Sequence, residues 1–227
     1  MISKAIESLK KGKMILLYDD DKREGETDLT IPAINVGPKD VTCLRSDGGG
    51  LICVAIHPKI SEKLGLPFIS DVLRGAAKNG FSPLRPIVEK SGDIPYDSRS
   101  SFSIWVNHRG TYTGITDNDR ALTIKEIGNI VKEAKNGKTV DFGKDFRSPG
   151  HVALLRAAEG LLNERRGQTE LSIALAILAG ITPAVAICEM LDADTGKALS
   201  KDDAKAYASK NGLVFVEGYE IVEACEI

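Results

Sequence analysis

The sequence predicts a mixed α+β fold, built as one domain over residues 1–227, and three observations carry that prediction. Short apolar runs such as MILLYD, LICVAIH and AVAICEML have the length of strands and are flanked by charged residues, glycine or proline. Between them lie longer stretches with apolar residues every three or four positions, the pattern of amphipathic helices. TELSIALAILAG is apolar on most sides, so other elements or a partner subunit must cover it.

In chain order, Ile2, Ala5, Ile6 and Leu9 predict a short helix that stops at Gly12 and leads into the strand MILLYD. LTIPAINV predicts the next strand. A helix is expected from Pro38 through Arg45, with proline in its first turn, then a flexible Asp47-Gly48-Gly49-Gly50 and the strand LICVAIH. Residues 67 to 100 hold four prolines, several glycines and no sustained period, and read mostly as loop. Alternation of Phe102, Ile104 and Val106 predicts a strand. From Thr123 the set Ile124, Ile127, Ile130, Val131 and Ala134 marks a helix ending near Asn136-Gly137. Thr169 is expected to cap the apolar helix that Gly180 stops, AVAICEML to follow as a buried strand, and Ser200 with Asp203 to cap a last long helix to Gly212 before the strand LVFVEG.

Composition narrows the partners. With 30 basic against 32 acidic side chains the net charge is −2, which gives no pull toward nucleic acid or anionic lipid. MISKAIESLKKGK lacks a continuous apolar stretch and does not read as a secretory signal. The run from Ile173 to Cys188 is too short to span a bilayer and is broken by Gly180, Thr182 and Pro183. Cys43, Cys53, Cys188 and Cys225 are far apart, without a CxxC pair, and fit free thiols in a reducing cytoplasm rather than a zinc site or a disulfide framework. No membrane or nucleic-acid partner is expected.

Four segments could carry chemistry. From Asp19 to Asp28, in LLYDDDKREGETDLTI, eight of ten residues are ionisable, six of them acids. Such a crowd can be a hydrated turn, or it can collect a hard divalent cation. Glu24, Glu26 and Asp28 alternate, and in an extended segment that spacing points all three the same way. In FRSPGHVALLRAAEG, Pro149 and Gly150 predict a turn that presents His151, either idle or placed for proton transfer. In NERRGQTELS, Arg165, Arg166 and Gly167 run into a helix start, which is either a solvated cap or a phosphate site. Glu189 ends a very apolar strand, where burial raises a carboxylate's pKa for acid or base work or pairs it for structure. Together they point to a phosphorylated, oxygen-rich substrate held beside a divalent metal.

DDDKREGETDL, SDGGGLICVAI, TGITDNDRALTI, RSPGHVALLRA, RRGQTELSIALAILAG and AVAICEM, in this order along nearly the whole chain, resemble the 3,4-dihydroxy-2-butanone 4-phosphate synthases of riboflavin biosynthesis. The resemblance implies a three-layer α+β domain and a lyase that converts ribulose 5-phosphate to the four-carbon phosphate and formate. It also implies Mg²⁺ or Mn²⁺, two ions per site, and a cytoplasmic homodimer with active sites at the subunit interface. Glu24 matches the family's metal-binding glutamate, Arg23 and Asp28 its sugar-contacting neighbours, and Thr113 a threonine near the phosphate. Arg165, Arg166, Gly167, Gln168 and Thr169 match its substrate-binding turn; His151 and Glu189 match two residues essential for catalysis. Cys53 falls in a pocket strand of the pattern with no assigned role. Where the family's usual turn reads GHTE with a metal-ligating histidine, this chain has Gln168, whose carbonyl oxygen is a weaker ligand but one that suits Mg²⁺. Metal held through Glu24 and Gln168 would stabilise an enediol. An isomerase or epimerase working through the same enediol, or a non-catalytic phosphometabolite binder, would share these residues. No fused GTP cyclohydrolase, as some relatives carry, is expected within residues 1–227.

Overall fold

The computed structural model describes residues 1–226. The chain opens with α1 (Ile2–Lys10), β1 (Ile15–Tyr18), β2 (Thr27–Pro32) and a 3-10 turn, Ala33–Asn35. Next come α2 (Pro38–Cys43), β3 (Cys53–Ile56), α3 (Pro58–Lys63), α4 (Ile69–Lys78) and β4 (Phe102–His108). The middle continues with α5 (Asp117–Lys135), α6 (Phe142–Asp145), β5 (Phe146–Arg156), α7 (Gln168–Leu178) and β6 (Ala184–Glu189). A small hairpin, β7 (Leu191–Asp192) and β8 (Lys197–Ala198), precedes α8 (Lys201–Asn211), β9 (Phe215–Glu217) and α9 (Gly218–Ala224).

Seven strands form one mixed sheet in the order β4-β5-β3-β6-β2-β1-β9, with β3–β5 and β1–β9 parallel and the other pairs antiparallel. Because side chains alternate along a strand, each strand feeds two cores. One face buries Leu16, Leu29, Val54, Leu154 and Ala186 with Val41 of α2, Ile124 and Ile127 of α5 and Ala204 of α8. The opposite face packs Ile15 and Leu17 against Leu9 of α1, Leu175 of α7 and Ile221 of α9, and Cys53, Ala153 and Ile187 against Ile173 and Ala176 of α7. The result is the expected three-layer α+β arrangement, and α7, apolar all round, is buried as its composition requires.

Several boundaries differ from expectation, each for a local reason. β2 begins at Thr27 and ends at Pro32, not Val36: Pro32 brings no N–H to extend the ladder, and the chain turns into a 3-10 segment. α2 ends at Cys43 rather than Arg45 and passes into a π turn over Leu44–Gly48. Residues 67 to 100 are not mostly loop, because α4 lies between Pro67 and the Pro83 turn, so those prolines bound a helix instead of interrupting one. α5 starts six residues before Thr123, where the Thr116 hydroxyl accepts from the Asp119 N–H, since a polar first turn adds nothing to an apolar period. Pro149 and Gly150 lie inside β5 and not in a turn. Pairing with β4 jumps there from Val106–Val152 to Asn107–Arg147, so residues 148–151 bulge from the ladder. α7 is capped by Gly167, leaving Thr169 in its first turn. Ser200 caps α8 through the Asp203 N–H as expected, at 3.2 Å.

Candidate active site

The acidic connection between β1 and β2 is organised around Asp19, whose side chain is fully buried. Its carboxylate accepts from the Glu24 N–H at 3.1 Å, the Glu26 N–H at 3.0 Å and Arg23 Nη1 at 3.3 Å. The chain therefore folds around one buried carboxyl group, and Gly25, at φ +67°, supplies the left-handed bend. Glu24 sits in this turn rather than in an extended strand. It nevertheless converges with Asp28 and Glu189 on one cavity of about 120 Å³, which Cys53, Arg165, Gln168 and Thr169 also line. A larger depression of about 610 Å³ beside the end of α5 contains none of these residues.

Sheet register makes the carboxylates meet. Asp28 of β2 lies opposite Glu189 of β6, on the face that α7 covers. Asp28 is 1% exposed, and one of its carboxylate oxygens has no hydrogen-bond partner among the described residues. Burial, reinforced by Glu189, Glu26, Glu24 and Asp19, holds its pKa well above the usual aspartate range. Glu26 is pushed up to about 7, chiefly by burial and then by Glu24, Glu189 and Asp19. Glu189 is also raised by burial, against the pull of the Leu51 N–H that donates to it at 2.8 Å. A Cβ on Gly50 would overlap the Glu189 side chain, so the glycine run after α2 is a close-fitting cradle rather than a flexible spacer.

The start of α7 supplies positive charge. Gly167 packs against the guanidinium groups of Arg23 and Arg165, leaving no room for a Cβ. Arg23 donates to Asp97 at 2.7 Å and Arg165 donates to the same carboxylate oxygen. Arg165 is braced from behind by buried Glu170, at 2.5 Å, and the Tyr96 ring lies 5.2 Å from the Arg23 guanidinium carbon. Two arginines at a helix N-terminus thus hold one carboxylate, an arrangement that suits phosphate equally well. Arg166 turns away to a separate depression with Asp20 and Leu171. Asp97, Tyr96 and Glu170 carry no sequence signal of this role; Asp97 sits in the stretch read as loop.

Gln168 donates through Nε2 to the Leu17 and Glu26 carbonyls at 3.2 and 2.9 Å, while its buried Oε1 has no partner among the described residues. With the free oxygen of Asp28 and the Glu24 carboxylate it forms an oxygen-only donor set, which fits Mg²⁺. Among the described residues no three His, Cys, Asp or Glu side chains already surround a single metal position. An ion here would keep several waters, as Mg²⁺ does.

His151 and Thr113 stand apart. His151 is exposed and outside the cavity wall; Cys53 pairs with Ala153 and with Ile187, which puts His151 and Glu189 at the same end of the sheet with β3 between them. At about 4.8 Å per strand their backbones are roughly 10 Å apart. Thr113, also exposed, lies in the β4–α5 connection, held by Asp119 at 3.2 Å.

The sequence model of the 3,4-dihydroxy-2-butanone 4-phosphate synthase family matches residues 3–224. The chain is 61% identical over 223 residues to the Methanosarcina mazei protein of that name, covering 98% of this chain and 90% of the relative. It is 62% identical over 219 residues to the Archaeoglobus fulgidus one, covering 96% and 91%. The Candida albicans synthase structure superposes with a TM-score of 0.76 at 29% identity, over 99% of this chain and 96% of that one. A synthase crystallised in complex with two magnesium ions gives 0.78 at 27% identity, with the same coverage. The chain belongs to the 3,4-dihydroxy-2-butanone 4-phosphate synthase family.

Proposed function

We infer that the protein is a lyase of riboflavin biosynthesis that converts D-ribulose 5-phosphate to L-3,4-dihydroxy-2-butanone 4-phosphate and formate. The observation that carries the reading is the convergence of Glu24, Asp28 and Glu189 on one cavity beside the Arg23–Arg165 anion site, in a chain whose relatives bear the synthase name. The five carbons of the substrate are conserved as four plus one, so formate is the diagnostic product.

The phosphate takes the place of the Asp97 carboxylate between Arg23 and Arg165, with the α7 N–H groups behind it. The sugar then lies toward Asp28, Cys53 and Glu189. Glu24 and Gln168 would hold Mg²⁺, two ions per site by analogy with the magnesium-bound relative. Bound there, it would supply electrostatic stabilisation of charge developing on the substrate oxygens. Asp28 and Glu189, whose carboxyl groups burial raises above the ordinary carboxylate range, are placed to accept protons from the substrate and return them. His151 acts at the mouth of the cavity, and Thr113 beside the phosphate.

We further propose a cytoplasmic homodimer whose second copy helps complete each site; the exposure of His151 and Thr113 outside the cavity supports this. Free cysteines and the lack of any membrane-length apolar helix among the described residues agree with that compartment. The test is incubation with ribulose 5-phosphate and Mg²⁺. One formate per substrate consumed is expected, and conversion to an isomeric ketose or aldose without formate would refute the reading. Mixed dimers of Glu24→Ala and His151→Ser chains should regain activity where the parent variants have none; sedimentation as a monomer would exclude the shared site.

A further inference from the structure

Asn107, on β4 beside the bulge, is fully buried and belongs to neither the acidic cavity nor the anion site. Its Oδ1 accepts the His151 backbone N–H at 2.8 Å. Its Nδ2 lies 3.5 Å from the Thr113 carbonyl and 3.1 Å from His151 Nδ1, closer to that ring nitrogen than Oδ1 is, at 3.3 Å. Turning the amide over would set its NH₂ against a backbone N–H and its oxygen against a carbonyl, so the contacts admit one orientation. The neighbours enforce it. A Cβ on Gly114, at φ +92°, would overlap the amide, and one on Gly150 would collide with the Val106 and Asn107 backbone.

We propose that Asn107 is a positioning residue that fixes the tautomer of His151: Nδ2–H donates to Nδ1, so the neutral ring carries its proton on Nε2. His151 then presents an N–H outward, where Nε2 meets no protein partner among the described residues. Neutral His151 is thus a hydrogen-bond donor to a substrate oxygen and not the base that takes the first proton, which falls to the carboxylates. This rests on the reading that His151 acts on the substrate, and it extends that reading by assigning the direction of its hydrogen bond.

The experiment is a long-range ¹H–¹⁵N spectrum of the histidine rings in the intact, metal-loaded protein, at a pH where further alkalinisation no longer moves the signals. His151→Ser identifies the His151 resonances. Nδ1 is expected as the unprotonated, pyridine-type nitrogen and Nε2 as the protonated one. Asn107→Asp keeps the shape but replaces the donor with an acceptor, so it should reverse the tautomer. It should also lower kcat by roughly 10- to 100-fold, the usual range for losing an orienting partner, with little change in KM. A proton on Nδ1 in the wild-type ring would overturn the proposal, and this spectrum decides even if Asn107→Asp does not fold. Unaltered tautomer and kcat in a folded Asn107→Asp would overturn it as well. Absence of formate release would instead refute the proposed reaction and leave the spectrum readable.

Discussion

Replacing Asp28 with asparagine should stabilise the metal-free protein while destroying its activity. In the folded state burial comes first, and Glu189, Glu26, Glu24 and Asp19 then add to it, to raise the Asp28 pKa well above the ordinary 3.8. Above pH 3.8 the folded chain therefore binds more protons at this position than the unfolded chain. Its stability contribution is complete below that pH and is lost as pH rises toward the raised folded value, by about 1.4 kcal/mol per pH unit. The loss accumulated by pH 7 cannot exceed about 4.5 kcal/mol, about 1.4 kcal/mol for each pH unit above the ordinary 3.8. Asparagine has nearly the shape of the protonated acid and does not titrate, so the variant escapes this loss. Relief of the neighbouring carboxylates acts in the same direction. Urea unfolding with chelator, at fixed protein concentration and several pH values, should give matching midpoints near pH 4 and a growing advantage for Asp28→Asn toward neutrality. Formate release should fall below detection. A stability difference that is flat in pH, or that grows toward acid, would refute the electrostatic account of this site.

Glu24→Ala should abolish formate release with an unchanged far-ultraviolet circular dichroism spectrum, and near-normal turnover would remove Glu24 from the metal site. Gln168→His should tighten Mn²⁺ or Mg²⁺ binding in calorimetry, because imidazole is the stronger ligand, yet cost roughly 1–3 kcal/mol of stability through the lost bonds to the Leu17 and Glu26 carbonyls. An unchanged metal titration would show that position 168 does not touch the ion. Asp97→Asn should bind inorganic phosphate several-fold more tightly, because the resident carboxylate no longer competes for Arg23 and Arg165. Weaker phosphate binding would mean that the anion binds elsewhere.

Local signals were strong wherever one segment carried its own periodicity or stop signal: α1 and its Gly12 stop, the apolar α7, β6, and the Ser200 cap of α8. They failed where backbone pairing or a polar first turn decided the matter. β5 runs through Pro149 and Gly150 because β4 pairs with it both before them, at Phe146 and Arg147, and after them, from Val152 on, and α5 begins on a polar turn that no apolar period could reveal. The acidic cluster was visible as composition. Its organisation around buried Asp19 was not, since the bonds that make Asp19 central are to backbone N–H groups closed by the hairpin.

By itself the sequence determined the inventory: six acids in ten residues, two arginines before a helix, a glutamate closing an apolar strand, and motifs specific enough to place the chain in its family. Tertiary structure alone decided which of these meet. Asp28 faces Glu189 only through the β2–β6 register, and Arg23 meets Arg165 only through Asp97, 74 residues along the chain from one and 68 from the other. Arg166 and His151, equally prominent in the sequence, lie outside the cavity. The reason is physical: charge and hydropathy are properties of a segment, whereas convergence depends on strand pairing and on burial by elements distant in the chain.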